Sequence, residues 1–356
     1  PSNPTQVRGL RSLFPLPLTP FEHYMWMDDR PSYPMTGVLE YHFRGSIDRE
    51  AWEAAVAESL TRHPLLTAHL APHRWGTPCW VSPSREPTPV DWGPWSAPIR
   101  FPNGEGIDLT RENGLRVIVR QGEDRARVLT QVHHACTDAL GAMRFLGDVL
   151  ASYARRVEPD GPHPDVDFLD AACLLRRGAP RRGEPREPLS FWQSWRRRVR
   201  VTAQWLTRRP APLAIPAGNR SPCENGPPDY PSIRYHTFSP AATARLRQSA
   251  HQAGGTLNDL LLRDLFVTVA EWDQRQTPRP SGKWLVIVMP TSLRRPEDAP
   301  MPAANVVSFA FVARRREACR DPVSLLKGIQ HDTQAIKRWS LGTLFLDGLA
   351  ATRRIP

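Results

Sequence analysis

Lysine is almost missing from this 356-residue chain: Lys283, Lys327 and Lys337 are the only three, so arginine carries its positive charge. Cysteine is nearly as sparse. Cys79, Cys136, Cys173, Cys223 and Cys319 are odd in number and far apart, which excludes a disulfide framework and a cysteine-based zinc site. No apolar run approaches the ~18 residues that a membrane-spanning helix needs. The opening PSNPTQVRGL lacks the apolar segment of a signal peptide. It also lacks an initiating Met, so a removed address stays open. A cytoplasmic protein with reduced cysteines is expected.

What is present points to a globular α/β protein. The length suits two domains better than one core. Apolar residues at 40% and charged residues at 23% give enough material for two sheets. The 38 prolines argue for many loops and against a helical bundle. The net charge of +11 raises the question of nucleic acid, but its distribution argues against it. Residues 176–209 hold 11 Arg and 2 Glu, a net +9, which leaves only +2 for the rest. The basicity is local, and no recognised nucleic-acid motif accompanies it.

Three regions are expected: 1–165, a crossover rich in Pro, Gly and Arg over 166–232, and 233–356. In the first, GVLEYHFRG (37–45) alternates like a strand. The next segment reads as a helix capped by Ser46 or Asp48, with Trp52, Val56 and Leu60 at four-residue spacing. LRVIVR and RVLTQVHH read as an antiparallel hairpin, and GAMRFLGDVLASYARR as a helix with Met143, Leu146 and Leu150 on one face. In the third region, IRYHTFS is strand-like, PAATARLRQSAHQAG is a helix with a glycine stop, and LNDLLLRDLFVTVAEW is an apolar helix. KWLVIVMP reads as a buried strand, ANVVSFAFVA as another, and DPVSLLKGIQHDTQAIKRW as another helix. Inside the crossover, Phe191, Trp192, Trp195, Val199, Thr202 and Leu206 fall on one helical face, with Arg196, Arg197 and Arg200 opposite. A basic amphipathic helix over 189–206 suits an anionic membrane surface, although a linker helix packing its tryptophans on the protein is the more ordinary reading.

The candidate chemistry lies in HHACTDALG (133–141). Adjacent strand residues point to opposite faces, so His133 and His134 cannot share a metal ion there, and no metal is expected. Two readings remain: a pair of satisfied core histidines, or one histidine acting as a general base while the other packs inward and Asp138 braces the turn.

HHACTDALG resembles the HHxxxDG motif of the condensation-domain and CoA-dependent acyltransferase superfamily. LPLTPFEHYMWMDDR, LTRHPLLTAHL, GTLNDLLLRDL and MPTSLRRP followed by NVVS resemble further segments of it in the right order. The last two are similar to the wax ester synthase/diacylglycerol acyltransferase branch. The pattern is broken at Ala139, where the family has glycine; Gly141 follows two positions on. The resemblance implies an α/β, two-layer sandwich fold of two chloramphenicol-acetyltransferase-like subdomains in a V, the second incomplete. It also implies thioester-dependent acyl transfer to an alcohol or amine, with a lipophilic alcohol favoured. The co-substrate would be acyl-CoA or a phosphopantetheine-linked acyl thioester, with no tightly bound cofactor. Catalytic roles would fall to His134 as base, His133 and Asp138, with Arg294 the suggested partner of Asp138. Substrate contacts would come from Ala139, Gly141, Arg294, Asn305 and Ser308. Cys136 is expected to pack. The rival of a different class is a non-catalytic relative that binds an acyl ligand or a protein partner.

Overall fold

Local signals in the sequence place most of the elements. β1 (Leu16–Pro17) leads into α1 (Pro20–Met27), which opens on a capping box: Thr19 Oγ1 accepts the Glu22 N–H and Glu22 accepts the Thr19 N–H. Glu22 is fully buried and meets Arg177 at 2.6 Å, with Trp80 Nε1 donating to it. This computed structural model describes residues 13–71, 76, 78–83, 88–101, 104–178, 190, 192, 195, 196, 199, 207–214, 230, 235–277 and 280–352.

β2 (Thr36–Arg44) precedes α2 (Arg49–Arg62), which Asp48 caps through the Ala51 N–H. β3 (Ala68–Ala71), β4 (Cys79–Pro83) and β5 (Val90–Pro94) follow, then the expected hairpin of β6 (Leu115–Gln121) and β7 (Arg125–His133), and α3 (Ala139–Val157). The strands form a β1-β4-β3 sheet and a β2-β7-β6-β5 sheet, antiparallel throughout except for the parallel β5–β6 pair.

Trp52, Val56 and Leu60 are buried, as their spacing predicts. In α3 the buried face differs: Ala142, Phe145 and Val149 point inward, and Met143 is exposed. Docking fixes this rotation. Asp138 N donates to Ala304 O (3.3 Å), and a Cβ on Gly141 would lie 3.0 Å from the Ala304 backbone. The first turn of α3 is therefore seated on the second half, which turns Gly141 and Ala142 inward.

In the third region, residues 235–239 form no strand: Tyr235 is exposed, and an alternating run needs a ladder partner to become one. α4 (Pro240–Gln252) is capped by Ser239 and stops before Gly254 at φ +73°. α5 (Leu257–Gln276) starts with a Thr256/Asp259 capping box, whereas Asn258 does not cap and donates to Met289 Sδ instead. β8 (Trp284–Ser292) and β9 (Val307–Arg315) make a nine-residue antiparallel ladder. β8 alternates in burial rather than being buried throughout, because only one face meets the core of Phe266, Leu285, Val312 and Ile329. α6 (Pro322–Arg338) covers that core. α7 (Leu344–Thr352) returns Phe345 to α1 and β9, with ring centroids 5.4 Å from Tyr24 and 5.5 Å from Phe309. The first core runs on without a break into Met301, Ala303, Ala304 and Val306, so one apolar cluster joins the two halves.

Of the expected basic helix, Trp192, Trp195, Arg196 and Val199 are described; they are helical and exposed. Phe191, Arg197, Arg200, Thr202 and Leu206 lie outside the described residues, as does Cys223. No helix is long and apolar enough to cross a membrane among the described residues.

Candidate active site

β7 ends at His133, and the turn after it carries His134. The pair divides as strand alternation requires. His133 is fully buried, its Nδ1 accepts the Ala135 N–H (3.0 Å), and its Nε2 lies 3.5 Å from Asp29 Oδ2. His134 turns to the other side, where a Cβ at Gly37 would stand only 3.3 Å from its Nε2. Glycine at that point of β2 leaves room for the imidazole.

The main chain of His134 is held from both halves. Its N–H donates to Met35 O (2.8 Å), and its C=O accepts from Asn305 Nδ2 (2.6 Å). Burial lowers the pKa of His134, and neighbouring His133 lowers it further. A hydrogen bond with the Thr137 backbone and the Asp138 charge oppose them without reversing the result. The ring is thus neutral at pH 7, the form that can take a proton.

Asp138 is the N-cap of α3, its Oδ1 accepting from Gly141 N (2.9 Å). Its Oδ2 accepts from Arg294 Nη1 (2.6 Å) and from Val306 N (2.9 Å). Arg294, suggested by the resemblance, is therefore its partner in the fold, and it also donates to Ala304 O. Ala139 is exposed at the first position of α3, so the side chain in place of glycine meets no packed core. Gly141 is where a side chain would collide, with Thr137 and the Ala304 backbone. Asn305 is buried against His134, whereas Ser308 is fully buried in β9 and lines no open surface. Cys136 fills the space beside Gly114, and burial, reinforced by the Glu22 charge, pushes its thiol well up. It is a packing residue and a poor nucleophile.

Two residues of the site lie inside the family-like segments LPLTPFEHYMWMDDR and LTRHPLLTAHL, whose sequence alone assigns them no role. Asp29 accepts the Met35 N–H (2.7 Å) while facing His133, so one carboxylate ties together both strands that flank His134. Burial works against its ionisation, but the nearby His133 imidazole and the Met35 N–H hold it below the usual carboxylate range. His63 is the second: it is fully buried between Asp148 and Ala303. Among the described residues no group of three His, Cys, Asp or Glu could hold a metal. A cavity of about 590 Å³ between α2 and α3, lined by Glu58, Ser59, Arg62, Asp148 and Ser152, contains no residue of HHACTDALG.

No family model matches the chain, and no curated protein matches it. Solved structures do. The SgcC5 protein from Streptomyces globisporus, in complex with (R)-(-)-1-(2-naphthyl)-1,2-ethanediol and sucrose, superposes with a TM-score of 0.63 at 16% identity over 94% of this chain and 76% of that one. The first condensation domain of the CDA synthetase gives 0.64 at 14% over 91% and 76%. The epimerization domain from the third module of tyrocidine synthetase B gives 0.64 at 13% over 93% and 75%. At these identities the likeness establishes the α/β fold shared with condensation domains. Since condensation and epimerization domains both have it, the reaction must be argued from the site.

Proposed function

We propose that this chain transfers an acyl group from a thioester to an alcohol or amine, with His134 as general base. The observation that carries the reading is a neutral imidazole on a turn fastened by both halves, next to a glycine that leaves it space. The acceptor O–H or N–H gives its proton to the ring as the oxygen or nitrogen bonds to the thioester carbon. The C–S bond then breaks and the imidazolium returns the proton to the departing sulfur, leaving an ester or amide and a free thiol. Backbone N–H groups of the first turn of α3 are the candidate donors to the developing oxyanion.

The condensation-domain likeness favours a carrier-borne phosphopantetheine thioester over acyl-CoA. The diol bound by SgcC5 favours an alcohol acceptor, and the wax-ester-synthase-like segments favour a lipophilic one. The exposed Trp192 and Trp195 beside Arg196 support an anionic membrane surface as a partner.

The test offers acyl-CoAs and acyl-pantetheines, each with a panel of alcohols and amines, and reads products by mass spectrometry. His134→Ala should lower turnover by ~10²–10⁴-fold. Because the neutral ring is the active form, kcat/KM should rise with pH through the His134 pKa. Since burial lowers that pKa, the acid limb should sit below the ordinary histidine value of about 6.5. Turnover that survives His134→Ala, or no product from any pair, would overturn the reading.

A further inference from the structure

The Arg62–His63 step of LTRHPLLTAHL has no chemical role in the reading above, yet its imidazole is completely buried at the junction of the halves. His63 Nε2 lies 3.1 Å from Asp148 Oδ2 on α3, and its Nδ1 is 2.9 Å from the main-chain nitrogen of Ala303. A backbone N–H can only donate, so Nδ1 must be the bare nitrogen and Nε2 the one that donates to Asp148. The ring stands edge-on to Phe145 at 5.6 Å, which fixes its plane. Burial, outweighing the opposing pull of Asp148, lowers the pKa of His63, and the Arg62 and Arg144 charges act the same way. The neutral tautomer that Ala303 requires is thus the stable one.

Ala303 belongs to a short segment of the second half that is fastened at four points to the first region and the crossover. Arg144 donates to Ala299 O, and Asp170 N donates to Pro300 O (2.8 Å). His63 then takes Ala303, and Asp138 N holds Ala304 O (3.3 Å). Two residues beyond Ala303, Asn305 donates to the carbonyl of His134. No other side chain hydrogen-bonds the His134 main chain among the described residues. The setting of Asn305 therefore bears directly on where the His134 ring points.

We infer that His63 is a positioning residue for His134: by clamping Ala303 it sets Asn305, and Asn305 sets the turn that carries the base. The inference rests on the reading of His134 as the base for its catalytic consequence, but the clamp itself can be read without turnover. Asp148 is the fixed end of the chain. Burial opposes its ionisation, while His63 and Arg62, the latter with Nε 2.7 Å away, hold it below the usual carboxylate range. A charged Asp148 in turn holds the proton on Nε2.

The experiment compares the full chain with His63→Phe, His63→Asn, Asn305→Ala and the double variant His63→Phe/Asn305→Ala. Phenylalanine keeps the ring contact with Phe145 and removes both hydrogen bonds. Asparagine keeps an acceptor for Ala303. Three quantities are read: single-turnover acyl transfer, amide hydrogen exchange over Ala303–Asn305, and the NMR titration of the His134 ring. His63→Phe should lower the transfer rate about ten- to a hundredfold, the scale of a misplacement near 1 Å. It should leave KM within about twofold of wild type, speed exchange at Ala303 and shift the His134 titration, and His63→Asn should restore most of each. The double variant should lose no more rate than the worse single, because both act through one element. Additive losses, or unchanged exchange and titration in His63→Phe, would overturn the inference. If His63→Phe does not fold, His63→Leu, which also removes both hydrogen bonds, is read in its place, and exchange at Ala303 and a His134 titration equal to wild type in it reject the inference. Should the chain catalyse no transfer, the proposed function fails while exchange and titration still decide the clamp.

Discussion

Asp138 shows how much one side chain can hold. It caps α3, accepts from Arg294 and from Val306 N, and its own N–H reaches Ala304. Asn is as good an N-cap as Asp, so Asp138→Asn separates the cap from the other roles. The amide would still serve Gly141 but would lose the charge facing Arg294, and its NH2 would confront another donor. Leaving a largely buried partner unsatisfied costs about 1–3 kcal/mol. Urea unfolding should show Asp138→Asn destabilised by that amount, together with slower transfer, and an unchanged midpoint would remove Asp138 from its bracing role. At this scale the sequence was readable where a motif is contiguous. HHACTDALG pointed to the split histidines, and the Ser-Leu-Arg step pointed to Arg294. Asp29 and His63 were not readable as site residues, because their partners His133 and Ala303 are brought to them only by the folded chain.

Elements were legible wherever periodicity and caps agreed. α2, α3, the β6–β7 hairpin and three helices of the second half, α4, α5 and α6, follow from spacing and capping residues, whereas α7 was not read. What spacing could not give is which stripe of α3 turns inward, since Met143, Leu146 and Leu150 make an apolar stripe as regular as Ala142, Phe145 and Val149, and the docking of Gly141 on Ala304 decides. Nor could it show that 235–239 lacks a pairing partner. The same docking gives a paired prediction. Gly141→Ala puts a methyl against Thr137 and the Ala304 backbone, neither of which is a flexible chain end. Overpacking of this kind costs typically ~1–3 kcal/mol, so thermal or urea unfolding should show a loss of that size. Ala139→Gly, at the exposed first position of the same helix, should change stability by no more than about 1 kcal/mol. Equal effects at the two positions would mean that the α3 terminus is not seated as described.

At the scale of the whole molecule the charge is concentrated rather than spread. The stretch 176–209 carries +9 of the formal +11. There, Trp192 and Trp195 are 67% and 50% exposed, with their rings edge to face at 6.1 Å, and Arg196 is exposed beside them. Aromatic side chains in water next to arginines suit the boundary of an anionic bilayer, where rings sit among headgroups and guanidinium groups meet phosphate. A lipophilic acceptor dissolved in that bilayer would then be offered directly to the protein. Each arginine near such a surface contributes ~1 kcal/mol, so replacing Arg196, Arg197 and Arg198 by Ala should weaken binding by roughly a hundredfold. Flotation with phosphatidylserine-containing liposomes reads this directly. Wild type should float and the triple variant should not. Raising the salt should release wild type as well, because screening shortens the reach of the field to a few ångströms at 1 M. Neutral liposomes are the control for the tryptophans alone. If the triple variant floats as well as wild type, the arginines serve the protein rather than a membrane, and the acceptor must be delivered from water.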